Sequence, residues 1–264
     1  MIKKAIVFDN SGTLLERYRV IKDLSTGKFL TEANSLEIID ELENSGLVVF
    51  QFNTTCLKKL DPNIRLYDLI KDHDIKFDIS YHNANLSDKD VLRILEKDKA
   101  TIKDITDGFE VLKDKVRNME LCNGSAIILD AKKDIVAYTI TSAGHLFPNT
   151  KKTINILKSR GIDIFIASGD RSGAIEKLTE VLDIEKDHGF PTASTEGKET
   201  IINNLQSKGY KVMMVGDGIN DVLAFKASDI SVLTLEQHEE VNKKLLNTTD
   251  FTIHDILEVT EIDF

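Results

Sequence analysis

The 264-residue chain predicts an α/β fold, a parallel sheet between helices, with an inserted α+β segment. Three observations predict it. Through the second half, short apolar runs rich in β-branched residues alternate with helical patterns. The apolar runs end in turns such as "DNSGT", "SGD" and "GDGIND", rich in Gly, Ser, Asn and Asp. Residues 16–123 break that rhythm with helices and strands of their own. Alternating strands and helices imply a parallel sheet covered on both faces, whose ligands sit beyond the carboxyl ends of the strands.

The elements follow in chain order. "KKAIVF" is β-branched and aromatic and reads as a buried strand. "RYRVIKDLSTGKFL" reads as a hairpin turning at Ser25, Thr26 and Gly27. "EANSLEIIDELENSG" has helical periodicity, and "GLVVFQFNTT" reads as a strand. "SDKDVLRILEKD" begins a helix at Ser87, a candidate N-cap with Asp90 in the first turn. "TIKDITDGFEVLKDKVRN" is a further helix. "SAIILDAKKDIVAYTI" reads as two strands joined at 132–134 that return to the main domain. "TKKTINILKSRG" is a helix stopped by Gly161, and "IDIFIA" is a strand. "SGDRSGAIEKLTEVLD" is a loop entering a helix. "GKETIINNLQSKG" is a helix closed by Gly209, with Lys198 placed just before it. "YKVMMV" is a strand, "GDGINDVLAFKAS" a loop entering a helix, and "DISVL" a last short strand. Two domains are expected: residues 1–15 with 124–264, and the insertion 16–123.

Charge narrows the function. The formal net charge is −10 and the lysines are dispersed among carboxylates, so no basic patch for nucleic acid is expected. No stretch nears the roughly eighteen apolar residues of a membrane span. Cys56 and Cys122 lack CxxC partners, which argues against a disulfide framework or zinc site and fits a reducing, cytoplasmic setting. His145 and His188 have no partner at metal-ligand spacing, and Phe52, Phe77 and Phe109 read as core residues.

Each polar turn taken alone is ordinary turn chemistry. In this order they make a magnesium-assisted phosphoryl-transfer site, which needs a nucleophile, oxygen ligands for a hard cation, and donors for phosphate oxygens. Asp9 is the candidate nucleophile and Asp217 a second carboxylate for Mg²⁺. Ser168 and Lys198 are candidates to hold the transferring phosphoryl group by hydrogen bond and point charge.

These motifs resemble the haloacid-dehalogenase superfamily, whose core is a Rossmann-like α/β sheet. Within it they are most similar to the phosphorylation domain of P-type transport ATPases, which shows DKTGT, TGD and GDGxNDxxAL. The resemblance covers residues 1–15 and about 126–235. It implies that Asp9 is phosphorylated, and that Asp217, the backbone carbonyl of Ser11 and the more distant Asp221 serve the metal. It implies phosphate contacts from Ser11, Gly12, Thr13, Ser168, Gly169, Lys198 and Asn220, and a structural Asp170.

The departures shape the expectation. Most phosphatases of the superfamily carry a general acid–base Asp two residues after the nucleophile, where this chain has Ser11. There is no TGE, the motif by which the transport ATPases hydrolyse their intermediate. There is no KGA-type nucleotide signature in the insertion, which therefore reads as a cap. The expected activity is a Mg²⁺-dependent phosphohydrolase working through an aspartyl-phosphate on ATP or a small phosphomonoester. The competing reading is a slowly turning over, phosphate- or nucleotide-responsive regulatory protein. Its protein partners are not legible.

Overall fold

The computed structural model describes every residue except 1, 84, 117–121 and 238–242. The chain divides into two compact units: residues 1–17 with 145–264, and residues 18–144.

The chain starts with β1 (Lys3–Phe8), whose last four residues are buried. It then enters the second unit along β2 (Leu15–Asp23), which pairs antiparallel with β3 (Phe29–Leu30). Gly27, in the left-handed region at φ 71°, closes that hairpin. There follow α1 (Ser35–Glu41), β4 (Ser45–Phe50), α2 (Leu66–Asp72), β5 (Phe77–His82), α3 (Asp88–Lys97) and α4 (Ile102–Leu112). The strands β6 (Cys122–Asp130) and β7 (Ile135–Leu146) complete a sheet of order β3-β2-β7-β6-β4-β5. Ser87 caps α3 in a reciprocal capping box with Asp90, which satisfies two otherwise unpaired amides. Phe109 is fully buried, while Phe52 and Phe77 pack against a neighbouring cluster. The helix read through 117 and 118 ends at Leu112, and those two positions lie outside the described residues.

The strand pair β6–β7 corrects one sequence expectation. It does not return to the parallel sheet: β6 lies between β7 and β4, antiparallel to both. The apolar run 126–129 of β6 is buried on both faces, and such a run marks a covered strand without naming its partner strand. Residues 124–144 therefore belong to the second unit rather than to the first.

The first unit resumes with α5 (Thr150–Ser159), β8 (Asp163–Ala167), α6 (Ser172–Leu182), β9 (Gly189–Phe190), α7 (Thr195–Ser207), β10 (Tyr210–Gly216), α8 (Val222–Ala227), β11 (Ile230–Thr234), α9 (Lys243–Leu246) and β12 (Phe251–Ile253). Its six strands run parallel in the order β12-β11-β10-β1-β8-β9, between helices. Ala5, Val7, Val212 and Met214 bury one face against Ile202 and Leu205 of α7 and Phe225 of α8. The alternate residues Ile6, Phe8, Met213 and Val215 are equally buried. Burial on both faces is why these strands read as unbroken apolar runs. The carboxyl ends of the neighbouring strands β10, β1 and β8 carry the three polar turns side by side.

Candidate active site

Asp9 follows β1 directly, and its amide still donates to the carbonyl of Val215 at 2.9 Å. Sheet pairing therefore fixes the backbone from which its carboxylate projects. The next residues turn sharply, because the amides of Thr13, Leu14 and Leu15 all converge on the carbonyl of Asn10. Gly12 sits in this turn at φ 83°, a conformation costly for any residue with a side chain. A Cβ there would also lie 1.9 Å from Asp217 Oδ2. Two constraints, one torsional and one steric, thus select glycine.

Lys198 lies in the first turn of α7, behind the N-cap Ser194. It is not ahead of the helix, as the sequence pattern placed it, because Ser194 caps the helix and the first turn begins at Thr195. Its ammonium is 2.7 Å from Asp9 Oδ1 and 2.7 Å from Asp221 Oδ1, and all three side chains are nearly solvent-free. Unpaired charges at such depth cost several kcal/mol each, so these groups depend on one another. Ligand oxygens of Asp9, Asp217 and Asp221 all come within 4.8 Å of each other.

Three carboxylates around one ammonium leave excess negative charge, and the proton affinities of Asp9 and Asp217 register it. Burial pushes the Asp9 carboxyl well above its usual range, reinforced by Asp221 and opposed by Lys198. Burial, and then Asp221, raise Asp217 to about 7. The Lys198 ammonium is held charged beyond the usual lysine range: burial opposes it, but Asp9 and Asp221 outweigh that. An all-oxygen, anion-rich donor set suits a hard divalent cation.

Asp170 organises the neighbouring turns. Its Oδ2 accepts from Asn10 Nδ2 at 2.7 Å and from the Ser168 hydroxyl at 3.0 Å, with the Ser11 hydroxyl at 3.4 Å. Its Oδ1 accepts from Arg17 Nη2 at 2.8 Å. Burial alone would raise this carboxyl, but Arg17 first, and then the donors, hold it below the usual range. It is a clamp, ill suited to take a proton near neutrality.

The remaining residues named from the sequence spread around this centre. Thr13 is fully buried and its Oγ1 has no hydrogen-bond partner among the described residues. Gly169 and Asn220 are exposed, and Asn220 Oδ1 folds back over Gly218. His145 pairs with Glu16, and His188 stacks on Phe165, so neither joins the cluster. Sequence reasoning missed Arg17 and Gln237. Gln237 holds the backbone of Arg17 at both polar atoms, at 3.1 and 2.6 Å. No motif marks either residue, since their partners are 153 and 220 positions away.

Residues 3–229 match the haloacid dehalogenase-like hydrolase family. The chain is 37% identical over 263 residues to the "Soluble P-type ATPase-like phosphatase" of Methanocaldococcus jannaschii, covering 99% of this chain and 93% of that one. It is 32% identical over 109 residues to the "Probable copper-importing P-type ATPase A" of Enterococcus hirae, covering 41% of this chain but only 15% of the transporter. A phospho-aspartyl intermediate analogue of phosphoserine phosphatase aligns over 99% of both chains at 16% identity, with a TM-score of 0.46. Among the described residues no helix is long and apolar enough to cross a membrane. With its family match spanning most of its length and a full-length relative beside it, the chain belongs to the haloacid dehalogenase-like hydrolases.

Proposed function

We propose that this hydrolase is a cytoplasmic, magnesium-dependent phosphohydrolase that forms an aspartyl-phosphate at Asp9, with ATP or a small phosphomonoester as substrate. The observation that carries the reading is the Lys198 ammonium bridging Asp9 and Asp221 at 2.7 Å, inside a group of three carboxylates. The phosphatase relative over nearly the whole chain supports it.

Asp9, Asp217 and Asp221 fit a magnesium ion: the donors are all oxygen, and Gly12 leaves space for the Asp217 carboxylate. When bound, the ion supplies charge neutralisation at the phosphate oxygens. In the first step an Asp9 oxygen attacks phosphorus, the bond from phosphorus to the leaving oxygen breaks, and that oxygen takes a proton from solvent. In the second, water attacks phosphorus and frees the Asp9 carboxylate and inorganic phosphate. Lys198 orients the Asp9 carboxylate and offsets charge on the transferring group. Ser168 and the turn Ser11–Gly12–Thr13 supply donors to the phosphoryl oxygens. Ser11 cannot serve as a general base near neutrality, so decay of the acyl phosphate is the slow step.

The test is an acid-quenched reaction with γ-labelled ATP and Mg²⁺, comparing wild type with Asp9→Asn. Label trapped on wild type alone supports the intermediate. Magnesium-dependent hydrolysis retained in Asp9→Asn sinks it.

A further inference from the structure

We propose that Arg17 is a positioning residue of the phosphate pocket: it offsets the charge of Asp170, so that the donors Asp170 orients can receive a phosphate dianion. The inference rests on the phosphohydrolase reading above and extends it to a residue outside every motif.

The argument starts from charge. Asp9, Asp217 and Asp221 cluster together, Asp170 binds the adjoining Asn10, and among the described residues Lys198 and Arg17 are the cations ion-paired with members of this set. Without Arg17, four carboxylates face one ammonium. With it the excess is two negative charges, the charge a single divalent ion carries. Lys198 pairs with Asp9 and Asp221 and not with Asp170, whose side chain is only 14% exposed. A dianion brought near such a group meets repulsion that water screens poorly.

Geometry then shows why Asp170 is retained at all. Its Oδ2 gathers Asn10 from the turn after β1 and Ser168 from the turn after β8. One carboxylate thus fixes two loops that must present polar groups to the same phosphate. In the "DNSGT" turn position 10 is a neutral Asn, so that turn orients Asp170 without offsetting its charge. The offset comes from β2 instead, through Arg17 Nη2 at 2.8 Å. The Gln237 amide, bonded to both backbone polar groups of Arg17, sets where the guanidinium starts. A guanidinium suits this task because it stays charged and keeps a fixed fork toward a carboxylate.

The test is calorimetric binding of inorganic phosphate, in the presence of Mg²⁺, to the full chain. Wild type is compared with Arg17→Gln, Arg17→Lys, Asp170→Asn and the double variant Arg17→Gln/Asp170→Asn. Arg17→Gln keeps a donor for Asp170 but removes the charge, and should weaken phosphate about tenfold, the scale of one poorly screened charge pair. Arg17→Lys should recover most of the loss. The decisive arm is the double variant, in which Asp170 no longer needs an offsetting charge and affinity should return toward wild type. Melting curves on each variant separate these effects from misfolding, which Arg17→Lys is chosen to survive. Unchanged affinity in Arg17→Gln overturns the inference. So does a loss that Asp170→Asn fails to repair, since Arg17 would then act on phosphate directly. A wild type that binds no phosphate overturns the phosphohydrolase reading and this inference together, whereas normal wild-type binding with either preceding result overturns this one alone.

Discussion

Gly12 and Asp217 occupy the same space: a Cβ added to Gly12 would sit 1.9 Å from Asp217 Oδ2. The contact joins the turn after β1 to the turn after β10, and it holds only while residue 12 has no side chain. Gly12→Ala must displace the Asp217 carboxylate or unwind the turn, since φ 83° also strains alanine. Turnover should fall at least about a hundredfold, the scale of a misplaced reacting geometry, with a melting loss equivalent to about 1–3 kcal/mol. Steady-state kinetics with thermal denaturation checks both. Normal turnover in Gly12→Ala would show that Asp217 is not where the chemistry needs it.

Asp9→Asn should remove activity and yet stabilise the fold at neutral pH. The Asp9 carboxylate is crowded by burial and by Asp221 and Asp217, which together outweigh Lys198. A neutral isostere escapes that cost, so the melting temperature of the metal-free protein should rise, by the equivalent of about 1–2 kcal/mol. A lower melting temperature would mean that the Lys198 attraction dominates.

The same crowding sets a pH dependence. Asp217 has an ordinary value of 3.8 and a folded value of about 7. Between these limits the folded chain binds the proton and the unfolded chain does not, so stability falls as pH rises. Metal-free protein should therefore melt higher at pH 5 than at pH 7.5 for this group. Magnesium should raise the melting temperature at pH 7.5 by the equivalent of about 2.7 kcal/mol at a hundredfold excess over its dissociation constant, and by less at pH 5, where protons compete. A magnesium shift independent of pH would remove the carboxylates from the metal site.

Ser11→Asp would restore the general acid–base carboxylate common among phosphatases of the superfamily, a group worth about 10²–10⁴-fold. The Ser11 hydroxyl stands 3.4 Å from Asp170 Oδ2, so the new carboxylate meets a like charge. Decay of labelled phosphoenzyme should accelerate only about tenfold in Ser11→Asp, below that range, and further when Asp170→Asn is added. Identical decay in all three proteins would place the slow step elsewhere.

Away from the site, Gly108 of α4 tests packing. Alanine favours a helix over glycine by about 1 kcal/mol, but a Cβ at Gly108 would lie 2.5 Å from Thr141 Oγ1. Gly108→Ala should therefore destabilise by about 1–3 kcal/mol, read by urea unfolding. A gain in stability would mean that the helix and β7 separate at little cost.

Some of this protein was determined by the sequence alone. The parallel sheet is legible because its central strands β10, β1 and β8 are buried on both faces and end in turns built from Gly, Asp, Asn and Ser. Asp9, Ser168 and Asp217 stand out for that reason: each is tied to a strand end within a few residues, and adjacency of the strands does the rest. The Ser87 cap and the Gly27 hairpin are local too, and needed no partner to be read. Tertiary structure alone decided the rest. The continuous apolar run of β6 could not say which sheet buries it. No local signal ties Lys198 to two carboxylates 189 and 23 residues away, nor Arg17 to Asp170 through 153. Charge pairing depends on distance in space, and a sequence orders only distance along the chain.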